Sequence, residues 1–311
     1  MKYSGIGGQA VLEGIMMKNG DKYAVAVRKP GGEIEVDIQE YKSISEGKKW
    51  MKLPFIRGVF NFIDSLIIGM RTLTYSASFA EEEEPEDNKP GFLEKHFTKE
   101  QLDDMSMTLA VVLAVALAIG IFMLLPAFIG GLLKKVIASE LLVAFIEGLL
   151  RIALFVAYVM LISLMKDIQR TFMYHGSEHK CINCIEHGLP LTVENVRASS
   201  KEHKRCGTSF LLIVMVVSIF VFMFVRTDTV WMRLVSRLLL VPVIAGISYE
   251  FLRLAGRSES PLVNALSKPG LWLQGLTTKE PEDDMIEVAI RAVEAVFDWK
   301  TFEESLKEED I

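Results

Sequence analysis

From Met105 to Leu133 the chain carries no charged side chain. At 1.5 Å of helical rise per residue, that run can cross the roughly 30 Å hydrocarbon layer of a bilayer. Three further apolar stretches follow: Val136–Met165, Gly207–Val225 without a charge, and Val230–Leu252 with Arg233 and Arg237 at its start and Pro242 inside. Half of the 311 residues are hydrophobic and bunched in this way, which points away from a soluble core. The expected fold is mainly α: a polytopic α-helical membrane protein of about four transmembrane helices, with a small cytoplasmic β meander and a C-terminal helix. Pro126 predicts a kink near the end of the first span. Glu147 and Arg151, four apart in the second, predict an ion pair on one helix face, read first as a lock between helices.

The expected organisation follows the apolar runs. Residues 1–50 are a cytoplasmic β-rich segment, with three strands around Gln9–Met17, Tyr23–Val27 and Ile34–Ile38 separated by Asn19-Gly20-Asp21 and Pro30-Gly31-Gly32. Residues 51–104 hold an interfacial amphipathic helix over 54–80, with a re-entrant segment or extra span as the rival, then an acidic linker (Glu81–Glu84) and a short helix carrying His96. Transmembrane hairpins occupy 105–165 and 207–255, with a His/Cys-rich loop at 166–206 between them. The tail, 256–311, carries a helix over Met285–Trp299 whose apolar face is expected to dock on the meander or a partner subunit. The central loop is dense in lysine and arginine (Lys166, Arg170, Lys180, Arg197, Lys201, Lys204, Arg205). The positive-inside rule therefore places that loop and both termini in the cytoplasm of a multi-pass cell-membrane protein. A net charge of −6 argues against a nucleic-acid partner, leaving the lipid bilayer and a second copy or another membrane protein as expected partners. The first residues lack the apolar h-region of a secretory signal, so no signal peptide is expected.

Four of the five histidines and all three cysteines fall between His175 and Cys206. His175, Glu178 and His179 have the spacing of the inverted zincin motif, in which two histidines hold zinc and the glutamate accepts a proton from bound water. On a helix continuing from the second span, all three share one face. A hydrolytic centre also needs a third protein ligand and an open position; His203, Cys206, Glu186 and Glu194 are the candidates. The competing readings are a closed structural zinc knuckle from Cys181, Cys184, Cys206 and one histidine, a redox pair at Cys181/Cys184, or no metal at all. Glu13, inside an apolar stretch, is either a member of the site or a charge at the sheet edge. The glycine-rich Gly5–Gly14 stretch does not follow a strand, so it is not read as a dinucleotide fingerprint.

Several stretches carry a resemblance: Gly7-Gly-Gln-Ala-Val-Leu-Glu13-Gly-Ile-Met-Met17, Tyr174-His-Gly-Ser-Glu-His-Lys180, Leu191–Arg197, His203-Lys-Arg-Cys-Gly-Thr-Ser-Phe210 and Pro269–Pro281. On these, running nearly end to end, the chain resembles the YqhQ-like bacterial membrane proteins. The resemblance implies the membrane topology and a suspected metal-dependent enzyme, but no reaction. His203-Lys204-Arg205-Cys206 stands where the family carries His-Pro-Arg-Cys, a departure that leaves the candidate ligands in place. The combined expectation is a metal-dependent membrane enzyme, hydrolytic, at the cytoplasmic membrane face. His175, His179, His203 and Cys206 would hold a divalent transition metal, zinc first, and Glu178 would act as base. The alternative is a non-enzymatic scaffold or assembly factor with a structural metal site.

Overall fold

The computed structural model describes residues 3–79, 99–225, 229–258 and 260–309. The acidic linker and His96 lie outside them. In chain order the elements are β1 (Gly7–Val11), β2 (Gly14–Asn19), β3 (Lys22–Arg28), β4 (Ile34–Glu40), α1 (Ile56–Ala77), α2 (Lys99–Ile119), a π-turn (Gly120–Leu124), α3 (Leu125–Leu133), α4 (Glu140–Ile162), α5 (Lys166–Glu186), α6 (Val193–Ala198), α7 (Gly207–Met223), α8 (Val230–Ala255), α9 (Pro261–Thr277), α10 (Asp283–Val296) and α11 (Trp299–Glu309). They divide into two compact units. The first comprises residues 1–80, 157–217 and 241–311; the second comprises 81–156 and 218–240.

In the first unit, β1–β4 form an antiparallel sheet in sequence order, one strand more than the pattern predicts. The expected single strand over Gln9–Met17 is a hairpin. It turns at Leu12-Glu13, where Glu13 takes a left-handed φ of 48°, and Gly14 then lies so close to β3 that a Cβ would meet the Ala26 carbonyl at 2.3 Å. Apolar runs do not announce a turn that carries no Asn-Gly or Pro-Gly. The two central strands are apolar on both faces because both faces are covered. Ile15, Met17 and Ala26 join a core with α5 and α10. Met16, Val25 and Val27 join Ile68 of α1 on the other side. The tail helix thus docks on the sheet as its pattern predicts.

Two helices of this unit are inside out. α1 buries Gly58, Asp64, Ile68, Gly69, Thr72 and Ser76 and exposes Phe62, Ile63, Leu66, Met70 and Leu73. Asp64 is stabilised in the interior by Tyr41 Oη (2.7 Å), Ser43 Oγ (2.5 Å) and the Ile44 N–H (3.1 Å). α9 likewise buries Ser267, Gly270, Gln274 and Thr277 and turns Leu262, Leu266 and Trp272 outward.

Three helical stretches among the described residues are long and apolar enough to cross a membrane: Met105–Leu133, Glu140–Ile162 and Leu234–Ala255. The expected third of four, over Gly207–Val225, is a shorter apolar helix, Gly207–Met223. In the second unit a π-turn ending at Leu124 interrupts the first of these stretches just ahead of Pro126. Proline has no N–H to give the carbonyl four residues back, and that carbonyl, of Phe122, accepts instead from Arg151 Nε at 2.9 Å. Arg151 Nη1 also donates to Ser218 Oγ (2.9 Å). The expected closed pair between Glu147 and Arg151 is replaced: Glu147 is ion-paired with Arg237 of α8. Glu147 approaches α3 only because residue 130 is glycine; a Cβ there would meet its Oε1 at 1.8 Å.

Candidate metal centre

The histidine motif lies on α5, which does not continue α4. Met165 is extended (ψ 131°) and breaks the chain between them. α5 is buried over most of Tyr174–Glu186 against the sheet and α10, so His175 and His179 sit within a packed layer and their rings can be held by neighbours on several sides.

Those neighbours are backbone carbonyls. Gly176 lets the tail run across α5: a Cβ there would meet the Lys279 carbonyl at 2.0 Å. Lys279 N–H bonds to the Phe172 carbonyl at 2.9 Å, and this path sets the Thr277 carbonyl 2.9 Å from His175 Nδ1. One turn on, buried Lys180 donates to the carbonyls of Arg197 and Ser199 (both 2.9 Å) and pairs with Glu280 (2.9 Å). Asn183 Nδ2 donates to the carbonyls of Ser200 (2.6 Å) and Glu202 (2.9 Å). The segment 197–202 is thereby fixed along α5, with the Lys201 carbonyl 2.6 Å from His179 Nδ1. A carbonyl can only accept, so both rings carry their proton on Nδ1 and turn the other nitrogen inward. This is the outer-shell arrangement that sets the tautomer of metal-binding histidines.

His175 Nε2 meets Cys206 Sγ at 3.3 Å. One ligand atom each from His175, His179 and Cys206 lies within 4.8 Å of the others, and the two imidazoles fan apart, centroids 4.4 Å and planes 65°. Tetrahedral zinc with two nitrogens and one sulfur separates its ligand atoms by about 3.3–3.6 Å. The His175–Cys206 separation falls in that range, and the chemistry of the set (two imidazoles and a thiolate) suits zinc or a similar borderline ion. Burial opposes the Cys206 thiolate, but the charge and hydrogen bonds of His175 and His179 outweigh it and hold the thiol well below its ordinary range. At His175 burial opposes the imidazolium, and Cys206, Glu178 and the Thr277 carbonyl outweigh it, raising the ring to about 9. Both shifts favour a thiolate facing an imidazolium, and a cation binding there would displace the proton.

Glu178 is buried against β1, where Gly8 leaves it room; a Cβ on Gly8 would stand 3.0 Å from its Cγ, and Glu178 is not one of the three clustered residues. The glycine-rich N-terminal motif and the histidine motif are thus one packing surface. His203 stands outside the three-residue cluster. Its ring is 5.7 Å from that of His179, and its Nε2 faces Glu186 (3.7 Å) and Arg205 (3.3 Å). Burial holds it below the ordinary histidine range against the pull of Glu186. Glu186, also bonded by Arg205 and by the Ser4 N–H and hydroxyl, is pushed up by burial and pulled down further by these partners, to about 2. Cys181 and Cys184 sit in the apolar core beneath α5, with the Cys184 thiol toward the carbonyls of Leu189 and Pro190. His187 Nδ1 faces the Asn183 carbonyl at 2.7 Å, and Glu194 lies in the first turn of α6; neither residue joins the cluster. Glu13 forms a two-pronged ion pair with Arg170 (2.6 Å for both contacts) at the hairpin turn. Reasoning from side chains alone could not find the Thr277 and Lys201 carbonyls. Gln274 was missed as well: it bonds the N–H and carbonyl of His203 and the hydroxyl of Ser209, and its only signal is a polar residue on the buried face of an apolar helix.

A family model described as a protein of unknown function (DUF1385) matches residues 53–299. The "Uncharacterized protein YqhQ" of Bacillus subtilis (strain 168) is 38% identical over 289 residues, covering 92% of this chain and 90% of that protein. No solved structure matches significantly. Family model and relative agree along most of the length, and the chain belongs to the DUF1385 family, alongside YqhQ.

Proposed function

We propose that this protein is a membrane-embedded metalloprotein in which His175, His179 and Cys206 hold a divalent transition metal, zinc first, and that the centre is hydrolytic. The observation that carries the reading is the pair of Nδ1–carbonyl bonds. They aim both Nε2 atoms at Cys206 before any ion arrives, which removes most of the ordering cost of assembling three ligands. Three protein ligands leave a position open, as catalytic zinc sites do. A bound ion supplies Lewis acidity and lowers the pKa of coordinated water. The chain's own part is then to fix the ligands, to exclude bulk water through the packing of α5, and to take up a proton at the Glu178 carboxylate, three residues after His175 and one before His179.

The membrane reading is supported by the three long apolar helices and by the inside-out amphipathicity of α1 and α9, whose outward apolar faces suit a lipid interface. Lysine and arginine density in 166–206 supports a cytoplasmic position for the centre. A structural metal site in a scaffold is the second reading, favoured by the burial of His179 and Cys206.

Metal analysis of the detergent-purified protein tests the centre. One equivalent of transition metal, lost in His179→Ala and Cys206→Ala, is expected; metal at background level would overturn it. Glu178→Gln separates the two readings. Metal retained with hydrolysis abolished identifies the base, whereas an unchanged activity profile in a substrate screen leaves the scaffold.

A further inference from the structure

Among the described residues of the second unit, one buried cluster brings two arginines to a single carboxylate. Glu147, Arg151 and Arg237 are all buried among apolar helices. Arginine stays charged in such surroundings, so two cations face one carboxylate. Arg151 is engaged on Phe122 and Ser218, and the Phe222 ring lies 5.3 Å from its guanidinium and 5.1 Å from that of Arg237. Arg237 spends Nη2 on Glu147, while its Nη1 is buried with no partner among the described residues. That guanidinium lines a cavity of about 70 Å³, together with Glu147, Phe222 and the Lys134–Glu140 pair (2.9 Å), which is neutral overall. Such a volume takes about five waters or one small oxyanion.

We infer that this cavity is an anion site in which Arg237, with Arg151 behind it, binds a phosphate-type oxyanion. A planar guanidinium with one arm already anchored presents the other as an oriented donor, the geometry in which arginine recognises oxyanions. The anion also supplies the charge whose lack makes a buried cationic cluster costly. The inference does not depend on the metal reading, since none of its residues belongs to that centre. Free phosphate and the headgroup phosphate of a lipid share this chemistry.

The full-length protein in detergent tests it by calorimetric titration with inorganic phosphate and by native mass spectrometry with added phosphatidylglycerol. One bound equivalent is expected in at least one arm. Phosphate binding in the first arm identifies a free anion; binding in the second alone identifies the headgroup. Arg237→Met is expected to weaken binding at least about tenfold, and Glu147→Gln, which removes the competing negative charge, to strengthen it about tenfold. The Glu147→Met/Arg237→Met double variant removes the pair together, keeps the interior apolar and should fold without binding; circular dichroism and gel filtration check the fold of each variant. No binding in either arm, or a Glu147→Gln protein that binds as the wild type does, would overturn the proposal and leave the cluster a lock between helices.

Discussion

Two of the polar clusters buried among the described residues, one in each unit, are built on opposite principles. Around His175, His179 and Cys206 the orienting groups are neutral backbone carbonyls, held in place by Lys180, Asn183 and the crossing of the tail at Gly176. Around Glu147, Arg151 and Arg237 the members are full charges, two on α4 and one on α8, brought together by a glycine and by the carbonyl that Pro126 frees. On the proposed reading the first cluster accepts a cation, and among the described residues the second sets two guanidinium groups against one carboxylate. Small groups at close approach make both possible, but only the first has its donor geometry fixed by backbone.

This contrast can be broken most decisively at the ligands. Cys206→Ala or His179→Ala should lower metal affinity by more than about 100-fold, beyond the usual effect of an outer-shell change, as read by competition with a chelator. Neither should alter phosphate binding at Arg237. The two close-approach glycines come next. Gly176→Ala forces the Lys279 carbonyl away and should cost about 3 kcal/mol in thermal unfolding, with partial loss of metal. Gly130→Ala should cost a similar amount and leave metal content unchanged. Equal metal loss in the two variants would erase the distinction between the clusters.

Acid sharpens it further. The Glu186 carboxylate is held to about 2 by its partners, below its unfolded value. Its contribution to stability is therefore complete above about pH 5 and is lost as pH falls from the unfolded value near 4.5 toward 2. Acid unfolding monitored by circular dichroism should lose on the order of 2 kcal/mol across that window, and Glu186→Gln should flatten the curve there. The smallest effect belongs to the half-exposed Glu13–Arg170 pair. Glu13→Gln should cost no more than about 1 kcal/mol in a thermal melt, because water screens the pair.

Much of this arrangement is legible from residues alone. The apolar runs mark the long helices, the Pro-Gly and Asn-Gly turns mark three of the four strands, and the spacing His175-x-x-Glu178-His179 marks the centre. The hairpin at Glu13 hides inside a continuous apolar run, since a sheet covered on both faces leaves no alternation to read. The inside-out character of α1 is hidden for the same reason: its apolar and buried faces are different faces. Pairing of Glu147 with Arg237, ninety residues away, follows from helix packing that local spacing does not encode. That Cys206 and not His203 joins the cluster of His175 and His179 goes with Glu186 and Arg205 engaging the His203 ring, a contact only the fold creates.

The central claim is tested most directly by X-ray absorption at the metal edge of the purified full-length protein. The account predicts two nitrogen ligands at about 2.0–2.1 Å, one sulfur at about 2.3 Å and one light atom in the open position. A shell with two or more sulfurs, or a protein that carries no transition metal when purified without chelator, would contradict it.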